Sequence, residues 1–290
     1  MKTQKMVGLK GISTVMIAFV LVLASCNKDD SVFSLQDVQN LSTDGALEAA
    51  QDETQDIATG ELNANDDGAR VEADDRTKGA IVTKTGTKDA GTITIDFTAD
   101  GKTDSKGNVR KGKIEISWTG RWRASQSVHI LTLNGYSING IGITGTRTVT
   151  NISTNDSPLT WTIVANHTST WPDGATATRT VNRTRQWIRA TNPLDDKVIV
   201  SQTAGATTAA AGKNRYGKNY SVKIIAPLEY SVSCVGSNKV YKPVKGTKEV
   251  TVESKVFTVD FGTGTCDNSF TVTFNGKTRT FTSKNDSSND

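Results

Sequence analysis

Hydrophobic positions along this chain obey three rules in succession. From Ile12 to Leu23 they are nearly continuous, broken only by Ser13 and Thr14, behind a basic end made of Lys2, Lys5 and Lys10. At ~1.5 Å per residue this run is too short for the ~30 Å of a bilayer core, so it reads as the apolar part of a secretory signal. A second stretch places Leu35, Val38, Leu41, Leu47 and Ala50 at roughly helical intervals, behind Ser34-Leu35-Gln36-Asp37, which has the spacing of an N-terminal capping pair. Gly45 and the polar run from Gln51 to Asp56 weaken this pattern, which therefore predicts one or two short helices. From Gly60 to Gly79 apolar residues almost vanish, and the segment is expected to be disordered or extended.

From about Ala80 the rule becomes alternation. Ile93, Ile95 and Phe97 share one face of a strand, as do Ile114, Ile116 and Trp118 of another, with the turn-rich loop Asp100 to Asn108 between them. Further strands are expected at Ser127–Leu133, Ile141–Asn151, Leu159–His167, Ala175–Arg189, Val198–Gln202, Tyr220–Ala226, Tyr230–Val235, Glu249–Val252, Phe257–Phe261, Phe270–Phe274 and Thr278–Phe281. Helical periodicity is absent from this region. Thr94-Ile95-Asp96-Phe97 returns as Thr258-Val259-Asp260-Phe261, each followed by a Gly-bearing loop, and Asn275-Gly276 marks a tight hairpin. The expected fold class is all-β, an antiparallel meander of about ten or more strands. Large twisted sheet, barrel and sandwich remain alternatives at this point. The chain divides into a signal at 1–25, an acidic tether with short helices at 26–79, the β domain at 80–284 and a disordered tail at 285–290.

Charge sharpens this division. The formal net charge of +4 conceals 14 Asp/Glu against two Lys/Arg between Asn27 and Asp75, a net −12, and 29 Lys/Arg against 16 Asp/Glu from Arg76 onward, a net +13. The acidic leader reads first as a solvated, self-repelling spacer; the alternative is that it folds back on the basic body and shields it.

Candidate chemistry is sparse. His129 and His167, the only histidines, sit in alternating strands without a Cys or carboxylate at ligand spacing and read as structural. Asp96, Asp100 and Asp104 are four apart, whereas a calcium loop needs them two apart, so turn chemistry is expected there. No catalytic residue, metal site or cofactor is expected. The sharpest feature is the run Ala175–Arg189, whose odd positions carry Arg179, Arg183, Arg185, Trp187 and Arg189 while the even ones are mostly Thr. Guanidinium forks suit sulfate, phosphate and carboxylate groups, so this stripe is a candidate face for an anionic glycan or a protein partner; nucleic acid is not the expected partner. The plainer reading makes it a solvent-facing sheet surface kept soluble by charge. Trp118, Trp122, Trp161, Trp171 and Trp187 could supply a sugar-stacking platform, or simply pack.

At the end of the signal, Leu23-Ala24-Ser25-Cys26 resembles the lipobox of bacterial lipoproteins. The resemblance implies cleavage before Cys26 and acylation of that residue, including palmitate-type chains, which would anchor the protein without a transmembrane helix. Lys28-Asp29-Asp30 resembles the export signal of Bacteroidetes-type lipoproteins, which implies the outer membrane and display on the cell surface. Asp30-Ser31-Val32 fits the short O-glycosylation pattern of the same group. Gly145 to Asn151, Arg183 to Trp187 and the repeated Asp-Phe strands resemble envelope lipoproteins of that group from about residue 90. This family implies a compartment and not an activity. With Cys26 lipidated, Cys234 and Cys266 remain as an even pair in an oxidising compartment and are expected to form a disulfide, which in a loop of about thirty residues contributes roughly 3–4 kcal/mol. Two readings follow: a non-enzymatic surface lipoprotein with a structural, adhesive or ligand-binding role, and a glycan-binding or glycan-processing one.

Overall fold

The computed structural model describes residues 33–67, 74–155, 158–234, 240 and 242–282. Cys26, Lys28, Asp29, Asp30, the Asp30-Ser31-Val32 tripeptide, the signal at 1–25 and the tail at 285–290 lie outside the described residues.

Alternation drives the chain into fifteen strands: β1 (Ile81–Gly86), β2 (Ala90–Asp96), β3 (Lys102–Thr103), β4 (Val109–Thr119), β5 (Val128–Ile138), β6 (Ile141–Asn151), β7 (Leu159–Thr170) and β8 (Thr176–Ile188) come first. They are followed by β9 (Lys197–Gln202), β10 (Ala210–Lys213), β11 (Asn219–Ser231), β12 (Lys245–Val252), β13 (Lys255–Thr263), β14 (Ser269–Phe274) and β15 (Lys277–Thr282). All belong to one antiparallel sheet whose path runs from β1 to β15, nearly in sequence order. The all-β meander is therefore correct, and its form is one continuous sheet. Three of these strands, β1, β3 and β10, are absent from those that alternation predicts. β9 and β10 together fill one strand's place between β8 and β11, β9 against Arg183–Ile188 and β10 against Thr178–Val181. β11 joins the two segments expected at Tyr220–Ala226 and Tyr230–Val235, absorbing Pro227 at a shift of register.

The sheet curls around a helix. α1 (Leu35–Asp67) is one 33-residue element, where the sequence pattern predicts short helices and then disorder. Its N-terminus closes as the capping spacing foretells: the Asp37 amide donates to Ser34 Oγ, and the Ser34 amide donates to the Asp37 carboxylate, both at 3.1 Å. Ala49, Ala50, Gln51 and every residue from Glu53 to Ala58 are buried. With 3.6 residues per turn, burial over consecutive positions leaves no side of the helix facing solvent, so the sheet must surround it. The spacer reading of the leader is thus corrected: at least its helical part is an internal element of the β domain. Bulges help the sheet bend. At the register shift between Lys111 and Lys113, Gly112 adopts φ +74°, and a Cβ there would lie 2.1 Å from the Gly135 carbonyl oxygen.

The core is the inward face of this curl. Ile93, Ile95, Phe97, Ile114, Ile116 and Trp118 are buried on the face that alternation assigns them, and Ile57, Ala58 and Leu62 of α1 pack among them. Phe33 enters between Phe257, Phe274 and Phe281, with ring centroids 6.1–6.4 Å away. The turns gather at two rims. One holds the β2–β4, β5–β6, β7–β8, β10–β11, β12–β13 and β14–β15 connections, and the N-terminus of α1 lies beside it: Asp37 pairs with Lys255 at the β12–β13 turn, and Asn214 of the β10–β11 turn donates to Asn40 at 2.9 Å. The opposite rim carries the Cys234–Cys266 disulfide, with Cα atoms 5.0 Å apart. β12 lies between the strands that lead to these two cysteines, so the bond spans a strand rather than joining sheet neighbours.

Candidate functional site

The arginine stripe of β8 faces inward. Alternation continues through it, so Arg179 and Arg183 share a face with Ala177 and Val181, all buried. Opposite them α1 presents Glu48, Asp52 and Asp56, spaced four apart and hence on one helix face. Arg183 donates to Glu48 at 2.9 Å and also to Asp52; Arg147 of β6 reaches Asp52 through both terminal nitrogens at 3.0 Å. Glu48 further takes Lys248 of β12 at 3.0 Å and Arg179 at 3.4 Å, and Arg185 reaches Asp56 at 3.3 Å. A second knot joins Arg110 of β4 to Glu53 and, at 2.7 Å, to Asp104. Both sequence-based readings of the stripe, ligand face and solvent-facing surface, are corrected for Arg179 and Arg183: the helix takes the place that a bound anion would have.

Electrostatics agree with this geometry. Burial works against ionisation of Asp52 and Glu48, but the surrounding cations, Arg183 and Arg147 for the first and Lys248, Arg179 and Arg183 for the second, prevail and hold both carboxyls below their usual range. At Asp104 burial is likewise outweighed, by hydrogen bonds from Arg110 and Asn108. Asp104 also accepts from the Lys106 and Asn108 amides, which is the turn chemistry expected of it. Among the described residues, no group of three His, Cys, Asp or Glu is arranged to hold a metal.

Trp187 and Arg189 separate from the rest of the stripe. Trp187 is half-buried near the disulfide-bearing rim, where its indole N–H donates to Asp196 at 2.8 Å and the Arg123 and Arg189 guanidinium groups lie 5.7 and 5.8 Å from its ring. The other tryptophans divide. Trp118, Trp122 and Trp161 are core residues, Trp122 stacking on Trp161 at 5.1 Å and meeting the His129 ring edge-on at 4.8 Å. Trp171 is half-buried at the other rim, under the Arg215 guanidinium at 4.8 Å. The five rings form no single platform. Both histidines are enclosed, and burial pushes His129 down to about 4 and His167 down to about 3, the latter helped by Arg147 and Arg179.

The outward face of β6, β7 and β8 is a lattice of Thr and Asn that the sequence shows only as the even positions of each strand. Thr146, Asn166 and Thr180 form one cross-strand row, and Thr148, Val164 and Asn182 the next. Beside Thr208 and Ala210 these rows line an open groove of about 420 Å³, uncharged and rich in hydroxyl and amide groups. No protein-family model, curated protein or solved structure matches the chain.

Proposed function

We propose that this chain is a lipid-anchored envelope lipoprotein, displayed on the outer membrane surface, whose β domain serves a structural, adhesive or ligand-binding role. The observation that supports this reading is the filled interior. In an open barrel the space inside would receive substrate or cargo; here α1 occupies it, and its carboxylates take up the guanidinium groups that would otherwise recognise an anion. What the domain offers to partners is therefore its outer sheet face and its two rims. Cys26 supplies the anchor and Lys28, Asp29 and Asp30 the sorting signal. Growth of the producing cells with an alkyne-bearing fatty acid tests the anchor: wild-type protein takes up the label and Cys26→Ala is released unlabelled. Equal labelling of the two would sink the reading.

The groove on β6–β8 favours glycan capture as a second reading, because neutral hydroxyl and amide side chains at strand spacing match sugar hydroxyls. A glycan array decides between them. Binding that is lost in Asn166→Ala with Asn182→Ala, or in Trp171→Ala, carries the second reading; silence across neutral and acidic glycans removes it.

A further inference from the structure

The rim beside the α1 N-terminus is basic. Lys78, Lys111, Lys213, Lys218 and Lys277 are exposed on it, and among the described residues none has a carboxylate partner within 4 Å. Of the acids on the same rim, Asp96 is held by Lys113, Asp173 by Arg215 and Asp104 by Arg110. Asp75, Asp100 and Glu253 remain exposed, Asp75 accepting from Ser105 and Glu253 accepting the Asn219 amide. At the disulfide-bearing rim Lys88, Arg121, Arg123, Arg189, Lys197 and Lys245 are exposed against Asp89, Asp195 and Asp267, with Arg121 held by Asp89 and Lys197 by Glu229. Both rims therefore carry more cations than acids, but among the described residues the larger group of exposed lysines without a carboxylate partner, five against Lys88 and Lys245, lies beside the α1 N-terminus.

Covalent reach says which end meets the membrane. Phe33 is seven residues from Cys26, and seven extended residues span at most about 25 Å. β8 and β11, each 13 residues long, extend about 40 Å along the strand. The anchor thus holds the basic rim near the headgroups, and the far rim cannot take its place without the domain lying over. We propose that this rim is a membrane-docking face that binds the phosphate groups of anionic lipids in the leaflet holding Cys26. The orientation rests on the reading of Cys26 as the anchor. The lipid affinity rests on the charges alone.

Docking restricts the domain to one orientation and turns the disulfide-bearing rim, with Trp187, Arg123 and Arg189, toward the medium. The test uses the whole mature chain made lipid-free by Cys26→Ser, sedimented with vesicles of phosphatidylcholine containing about one-third phosphatidylglycerol, and with vesicles of phosphatidylcholine alone. The chain is expected to pellet with the anionic vesicles at low salt, to be released near physiological salt and to ignore neutral vesicles. Each surface lysine contributes roughly a fivefold factor in partitioning. The variant Lys111→Ser, Lys213→Ser, Lys218→Ser, Lys277→Ser should then lose at least roughly a hundredfold, whereas Lys88→Ser with Lys245→Ser loses little. No sedimentation with anionic vesicles, or equal loss from both variants at unchanged melting temperature, overturns the proposal. Because these proteins carry no lipid, a failed fatty-acid label on Cys26 would refute the anchor and leave this result to stand by itself; inorganic phosphate that competes at millimolar concentration would point to a phosphate pocket and also overturn it.

Discussion

Arg183 is the residue on which the interior turns, since it donates to both Glu48 and Asp52. A buried ion pair is weak evidence of net stabilisation, because desolvation of the two charges offsets most of their attraction, yet removing one partner strands the other. Arg183→Met should therefore cost about 3–5 kcal/mol, read as a fall in the urea midpoint at unchanged slope. A loss below about 1 kcal/mol would show that water already reaches the site. The histidines make a separate prediction about pH. His129 and His167 titrate near 6.5 when unfolded and at about 4 and about 3 when folded. Between these values the unfolded chain binds more protons, so the stability these sites allow is complete above pH 6.5 and declines as pH falls toward the folded values. The paired carboxylates Asp52 and Asp104, with lowered folded values, act in the same direction but only below the ordinary carboxylate range. Melting temperature should therefore begin to fall between pH 6.5 and 5, and His129→Leu should flatten that part of the curve while leaving the steeper loss below pH 4.5.

Much of the sheet was legible because its cause is local: alternation at Ile93–Phe97 and Ile114–Trp118 needs only the pleat to put those side chains inside. α1 was not, because its middle turn, Gln51 to Asp56, is polar and hydropathy assigns such a segment to solvent. What buries it is charge supplied from strands up to two hundred residues away, as in Lys248 with Glu48. The signals were present, a −12 leader against a +13 body and acids at helical spacing facing arginines at strand spacing, but each has a plainer explanation taken alone. β10 and the join across Pro227 were missed because Gly, Ala and Pro carry no alternation. It follows that a chain starting at Gly79, the boundary that hydropathy suggests, should not fold. Without α1, Arg147, Arg179 and Arg183 would be buried without counter-charges at several kcal/mol each, against a total stability of about 5–15 kcal/mol. Circular dichroism of the 79–290 fragment beside the mature chain checks this, and a cooperative melt of the fragment would refute the internal role of the helix. The disulfide acts on a smaller scale. Cys234→Ala with Cys266→Ala should lose about 3–4 kcal/mol in the chain-entropy model without unfolding the sheet, because the bond ties two connections at one rim and crosses no core contact of α1.

Taken as one body, the protein hides its largest charge imbalance inside and shows a smaller one between its ends. Inward, the acids of α1 meet the basic sheet; outward, both rims show cations, and the larger group of lysines without a carboxylate partner among the described residues lies beside the start of α1. A domain anchored at Cys26, as proposed, would have a near side and a far side, and surface display could be read from which lysines an external reagent meets. If Lys28, Asp29 and Asp30 direct the lipoprotein to the outer leaflet, a membrane-impermeant amine reagent applied to intact cells should modify Lys88 and Lys245 at the far rim. Lys213 and Lys218, at the near rim, should react several-fold more slowly than in the lipid-free chain. Changing Asp29 and Asp30 to Ala should keep the acyl chains on Cys26 but withdraw Lys88 and Lys245 from the reagent until the cells are broken, since the domain would then face the periplasm. Peptide mass spectrometry after short labelling gives both ratios in one measurement. Wild-type protein that carries its lipid yet resists the reagent at Lys88 and Lys245 in intact cells would refute display on the surface.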